Sequence, residues 1–152
     1  MSIRATRLFS VTLNLPMTPL DDILRSYEKQ AQDSNVLASL FEHRIKIHLM
    51  HLVTSSYAQH KALGELYEAV DDFIDTFAEM YMGAKGNKDL AKSVSSLSVA
   101  PGGDPVALVN DLEQFLKGSL TQAIGEDQTA LLNLRDELIG TAQTTKYLLT
   151  LN

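Results

Sequence analysis

The stretch HKALGELYEAVDDFIDTFAEMYMG, residues 60–83, sets Leu63, Leu66, Tyr67, Val70, Phe73, Ile74, Phe77 and Tyr81 at intervals of three and four. That spacing is the apolar face of an amphipathic helix, and no proline interrupts it. Ser56, with Gln59 three residues later, has the form of a capping box that opens the helix, and Gly83 and Gly86 supply its stop. The rest of the circumference carries His60 and six carboxylates: Glu65, Glu68, Asp71, Asp72, Asp75 and Glu79. At about 100° per residue, His60 and Asp71 border the apolar face and the other acids lie beside it.

The same period extends outward on both sides. Upstream, Val36, Leu37, Leu40, Phe41, Ile45, Ile47, Leu49 and Leu52 predict a long helix ending near Thr54, with the cap-type residues Asp33, Ser34 and Asn35 before it. A shorter helix over about 19–32 is expected ahead of that, capped by Thr18 and started by Pro19, with Asp21 and Asp22 in its first turn. Residues 8–15, LFSVTLNL, alternate apolar and polar side chains up to Pro16 and read as a strand or extended arm. Downstream, the Gly- and Ser-rich residues 84–103 read as a long connection with room for one short helix. Asp104 and Pro105 cap a third long helix that breaks at Gly125, and Asp127 begins a fourth along Leu131, Leu134, Leu138, Ile139, Tyr147 and Leu148.

Two pairs of long helices, each joined tightly and linked to the other by a long crossing segment, make an all-α four-helix bundle with one long crossover connection. The expected organisation is an extended arm over 1–17 and a single bundle domain over 18–152, its short N-terminal helix included. A chain of 152 residues suits one core. No apolar run approaches the ~20 residues of a membrane span. The net charge of -6 argues against a general affinity for nucleic acid phosphates. Without cysteine, a metal must be held by histidine and carboxylate. The opening MSIRATRLFSVTLNLPM is rich in Arg, Ser and Thr and free of acids, as in a mitochondrial transit peptide, but lacks a clear amphipathic helix. A cytoplasmic protein is the simpler reading.

The acidic face is by default solvated surface. Two features set this one apart: no Lys or Arg stands between Lys61 and Lys85 to compensate the acids, and all four histidines, His43, His48, His51 and His60, fall within eighteen residues. Imidazole and carboxylate together are the ligand set of iron, zinc or manganese. The Glu-x-x-His pattern of di-iron bundles is absent: Tyr57, His48 and Ile45 stand three residues before His60, His51 and His48. The third and fourth helices add no histidine and no evident inward carboxylate pair, which argues against a metal centre inside one subunit's own bundle.

The pattern His60-x14-Asp75-x3-Glu79 resembles the second helix of the Dps family of mini-ferritins, and HLVTSSYAQHKALG resembles a segment of uncharacterised bacteriophage proteins of the same ferritin-like type. The resemblance covers about 48–86. It implies a ferritin-like fold, an oligomer between a dimer and a dodecamer, and an iron-binding ferroxidase centre across a subunit interface, with histidines from one chain and carboxylates from its neighbour. By position it implies His60, Asp75 and Glu79 as ligands, with either His48 or His51 from the preceding helix. His48 keeps the twelve-residue spacing, whereas His51, which we favour, fits the phage-type segment. Gly64 stands where Dps proteins place an aspartate, so a carboxylate is missing unless Glu65 or Glu68 substitutes. The lysine-rich tail that many Dps proteins use on DNA is also missing, with only Arg4 and Arg7 before residue 25, which argues against DNA binding.

Two functions follow as expectations. One is a Dps-like ferroxidase and iron store, with iron (or zinc or manganese in its place) bound by His51, His60, Asp75 and Glu79. The other is a non-catalytic ferritin-like assembly or virion-associated protein with a degenerate site, placed in the host cytoplasm or the virion if phage-encoded. A hydrolase lacks support, since no Gly-x-Ser-x-Gly, phosphate-binding glycine loop or His-Glu-x-x-His occurs.

Overall fold

A computed structural model describes residues 18–86, 88–94, 96–100 and 103–151. The expected arm over 1–17, with its strand at 8–15, lies outside the described residues. Within them the secondary structure is all helical: α1 (Pro19–Val53), α2 (Tyr57–Lys85), a short 3-10 helix (Leu90–Ser93), α3 (Pro105–Phe115), a π turn (Leu116–Leu120), α4 (Thr121–Ile124) and α5 (Thr129–Leu148).

Where the sequence predicts two helices, over 19–32 and from Val36, there is one helix of 35 residues. Between Leu20 and Val53 the chain has neither Gly nor Pro. Asp33, Ser34 and Asn35 are cap-type residues, but each costs a helix interior under about 1 kcal/mol, too little to end it without a turn to enter. The true start is at Thr18, whose side chain accepts from the Asp21 backbone N–H while the Asp21 carboxylate accepts from the Thr18 N–H at 2.8 Å. Pro19 takes the first helical position.

The other boundaries follow the expected punctuation. Ser56 caps α2 by accepting from the Gln59 N–H, and Gly86 ends it at φ +68°, a left-handed conformation natural to glycine. Asp104 caps α3 by accepting from the Ala107 N–H, with Pro105 next. The fourth long helix starts at Thr129 rather than Asp127, after a turn at Gly125 with φ +84°.

The helical backbone from Pro105 to Ile124 contains one widened turn that the sequence reading does not anticipate. Its cause lies in the apolar spacing. Leu112, Leu116, Leu120 and Ile124 are all fully buried and four residues apart. In a regular helix each such step rotates the stripe by about 40° off the core. A π turn, with more residues per turn, keeps the stripe aligned. The Thr121 hydroxyl secures it by donating to the carbonyl of Leu116, five residues back, at 2.8 Å.

Among the described residues α2 supplies the largest share of the core, burying Leu63, Leu66, Val70, Phe73, Phe77 and Tyr81 against α1 on one side and α5 on the other. α3 closes the ring by packing on α5 and α1, and the 3-10 helix inserts Leu90 beside α1 and α2. The end of α2 ties down the end of α4, with Lys85 Nζ donating to the Ile124 carbonyl (2.8 Å) and the Tyr81 hydroxyl to that of Ala123 (3.2 Å). No helix among the described residues is long and apolar enough to cross a membrane.

Candidate functional site

The α1–α2 turn is held by short-range bonds. The Thr54 hydroxyl donates to Gln59 Oε1 at 2.7 Å, the Ser56 oxygen accepts from the Gln59 N–H, and the His60 N–H donates to the Ser56 carbonyl. The tight turn sets the last residues of α1 against the first turn of α2, and there two histidines form a reciprocal clasp. His51 Nδ1–H donates to the backbone carbonyl of His60 at 2.8 Å, and His60 Nδ1–H donates to the carbonyl of His51 at 2.9 Å. The rings stack with centroids 3.8 Å apart.

A carbonyl oxygen only accepts, so both Nδ1 atoms carry the proton. In the neutral ring each Nε2 then keeps its lone pair. This is the orientation in which histidine commonly binds a metal, its other nitrogen fixed by a backbone carbonyl. Both rings line a cavity of about 210 Å³ with Lys61, Gly64, Glu65 and Glu68.

Gly64 makes the clasp sterically feasible. A Cβ at this position would fall 3.0 Å from His51 Cε1 and 3.1 Å from its Nδ1. Any side chain here, the aspartate of the Dps pattern included, would press on the His51 ring and require it to give by a few tenths of an ångström.

One turn further from the hairpin, His48 stacks on Tyr67 at 4.1 Å. Arg44 lies 4.7 Å from the centre of the same ring and donates to the Tyr67 hydroxyl (3.0 Å) and to Asp71 (2.9 Å). His48 is thus engaged with an aromatic ring, and its ring centre stands 6.1 Å from that of His51. His43 is apart from both, stacked on Phe115 and donating Nδ1–H to the Ser39 carbonyl, with burial holding its pKa below the usual histidine value.

Of the four expected ligands, the fold brings His51 and His60 together and leaves Asp75 and Glu79 far off. Along α2 they lie about 22 and 28 Å from His60, at ~1.5 Å per residue. Both are exposed. Among the described residues no group of three or more His, Cys, Asp or Glu is placed to hold a metal ion. The acidic face is also less bare than its own helix suggests: Asp71 pairs with Arg44 of α1, and Glu65 stands 4.0 Å from Lys61.

A family model described as a family of unknown function, DUF5856, matches residues 51–149. The chain belongs to that family. The DUF5856 span begins at His51, so both histidines of the clasp and Gly64 fall inside it, as do α2, α3 and α5. This DUF5856 chain is similar to an uncharacterised 14.6 kDa protein from the mobD-ri intergenic region of Enterobacteria phage T4, 29% identical over 123 residues, which covers 81% of this chain and 91% of that one. The phage-type resemblance of HLVTSSYAQHKALG thus has a counterpart in a phage relative, whereas neither comparison points to ferritin or Dps proteins. No solved structure matches the chain.

The DUF5856 domain also buries a carboxylate that the sequence reading does not single out. Glu113 of α3, 11% exposed at its side chain, accepts from Gln143 (2.9 Å) and Lys146 (2.7 Å) of α5 and from Lys117 (2.5 Å). These bonds, that from Gln143 foremost, pull its pKa down to about 2. In the sequence Glu113 looks like any surface acid of an amphipathic helix; the signal available is Lys117 four residues on, a common surface pairing. Its role is to lock α3 to α5.

Proposed function

We propose that this DUF5856 protein is a ferritin-like helical bundle that assembles from several copies and takes Fe(II) as substrate at interfaces between them. His51 and His60 of one copy supply two imidazole donors, and Asp75 and Glu79 of another supply the carboxylates. Bound Fe(II) passes an electron to peroxide or oxygen, and the ferric product is held within the assembly. The observation that carries this reading is the histidine clasp: two imidazoles side by side, each fixed at Nδ1 by a backbone carbonyl and so left with Nε2 as its metal-binding nitrogen. The exposed carboxylates on α2 add the negative potential that draws cations in.

The test is Fe(II) oxidation by peroxide, followed optically, in the wild type, in His51→Ala/His60→Ala and in Asp75→Ala/Glu79→Ala. Both double variants are expected to slow the reaction at least tenfold. Wild-type rates in either one would overturn the reading.

A second reading is a non-catalytic ferritin-like assembly protein, in which the clasp only fastens the α1–α2 hairpin. It is favoured by the placement of Glu65 and Glu68, which line the same cavity yet form no group of three or more with the histidines that could hold a metal ion among the described residues. Native mass spectrometry separates the two: a closed dodecamer that takes up iron supports the first, and an iron-free dimer or a complex with a foreign protein supports the second.

A further inference from the structure

Where α2 passes α5 the two helices do not close completely, and a cavity of about 250 Å³ lies between them. Its floor is apolar: Phe73 of α2 and Leu138 of α5, each 4% exposed, with Leu134 beside them. Ala69, one turn before Phe73, is too short to fill the space. The walls are polar. Asp72 and Thr76 stand on the α2 side, Glu137 and Thr141 on the α5 side. Within each pair the two residues are one turn apart and about 40° around the axis, so both border the same opening.

These walls offer acceptors. An ionised carboxylate only accepts hydrogen bonds. The Thr141 hydroxyl spends its proton on the Glu137 carbonyl at 3.2 Å, which leaves its oxygen lone pairs for a ligand. Neither Asp72 nor Glu137 forms an ion pair with a described residue, and among the described residues no Lys or Arg lines the cavity. The base of α5 closest to it in sequence, Arg135, is engaged elsewhere, with Asp136 and the Thr121 hydroxyl.

We propose that this cavity binds a short aliphatic diamine. Charge complementarity and the apolar floor select this ligand together. One ammonium group donates to Asp72 and the Thr76 oxygen and the other to Glu137 and the Thr141 oxygen, while the methylene chain between them covers Phe73, Leu134 and Leu138 and leaves water. A single exposed ion pair contributes little. Two on one stem act together, because binding the first ammonium holds the second close to its carboxylate. A bare metal ion would leave the floor uncovered and find its oxygens on opposite walls, and among the described residues no group of three or more His, Cys, Asp or Glu is placed to hold one. None of His51, His60, Asp75 and Glu79 lines this cavity, so the iron reading and this one stand or fall separately.

The test is isothermal titration of the full chain with cadaverine at low ionic strength. It compares the wild type with Asp72→Asn/Glu137→Gln and with Asp22→Asn/Glu126→Gln, which removes as many charges at exposed positions outside the cavity. Circular dichroism verifies that each variant folds. Saturable binding is expected in the wild type, weakened roughly tenfold or more by the first double substitution and far less by the second. Pentylamine, with the same stem and one ammonium, is expected to bind roughly tenfold more weakly than cadaverine, and magnesium at equal concentration is expected not to displace the diamine. Four outcomes overturn the proposal. They are no saturable binding in the wild type, equal losses in the two double variants, pentylamine binding as tightly as cadaverine, and displacement by magnesium. The third would assign the cavity to a lone cationic group such as a lysine side chain, and the fourth to inorganic cations.

Discussion

Gly64 illustrates how a residue changes meaning once its neighbours are known. In the sequence it is a gap in a ligand pattern; in the fold it is the space that the His51 ring requires. Glycine inside a helix is normally a defect, and replacing it with alanine gains about 1 kcal/mol. Here the added methyl stands 3.0 and 3.1 Å from two atoms of the His51 ring and forces it to give by a few tenths of an ångström, straining a hydrogen bond and a stacking contact together worth about 1.5–2.5 kcal/mol. The loss outweighs the gain. Gly64→Ala is expected to destabilise the protein by about 1 kcal/mol in urea unfolding. Gly140→Ala, on α5 with no neighbouring atom near its added carbon, is expected to stabilise it by about 0.5–1 kcal/mol. A Gly64→Ala protein as stable as Gly140→Ala would mean that the clasp contributes nothing. The tautomers are checked separately, since nitrogen-15 spectra should show protonated Nδ1 in both His51 and His60.

At the scale of elements, two contacts set how α3 and α5 sit together. Glu113 binds Gln143 and Lys146 of α5, and its pKa is about 2 against 4.5 for an ordinary glutamate. The unfolded chain therefore binds a proton here at a higher pH than the folded one. The resulting stabilisation is complete above about pH 4.5 and is lost as pH falls toward 2, and it amounts to on the order of 2–3 kcal/mol. Urea midpoints of wild type and Glu113→Gln should differ most at pH 6 and converge by pH 2–3, and a gap that does not change with pH would refute the linkage. The second contact is the π turn, where the Thr121 hydroxyl donates to Leu116 and accepts from Arg135 of α5. Thr121→Val leaves both partners short of a bond, and a loss of about 1–2 kcal/mol is expected, with faster amide exchange around Leu116–Leu120 than elsewhere in the core.

Across the whole molecule, the histidines and the carboxylates proposed to bind iron stand far apart along α2, so the proposed chemistry needs a second copy of the chain. Asp75→Ala/Glu79→Ala should impair iron oxidation and leave the clasp histidines' nitrogen-15 spectra unchanged, since about 22 Å or more of helix separates them from His60.

Much of this protein was legible in order of residues alone. The period of three and four in α2, the cap at Ser56, the stop at Gly86 and the start at Asp104 and Pro105 are local signals, and each stands where it was expected. The sequence also gathers the four histidines into one short span, because their closeness along the chain needs no fold to be seen. What required the tertiary structure depends on partners remote in sequence or on competition between weak terms. The continuity of α1 through Asp33, Ser34 and Asn35 turns on propensity costs too small to break a helix that meets neither Gly nor Pro. The pairing of Asp71 with Arg44, the burial of Glu113 and the need for Gly64 all involve another helix. Helical spacing shows which residues share a face, but only the packed chain decides what that face meets.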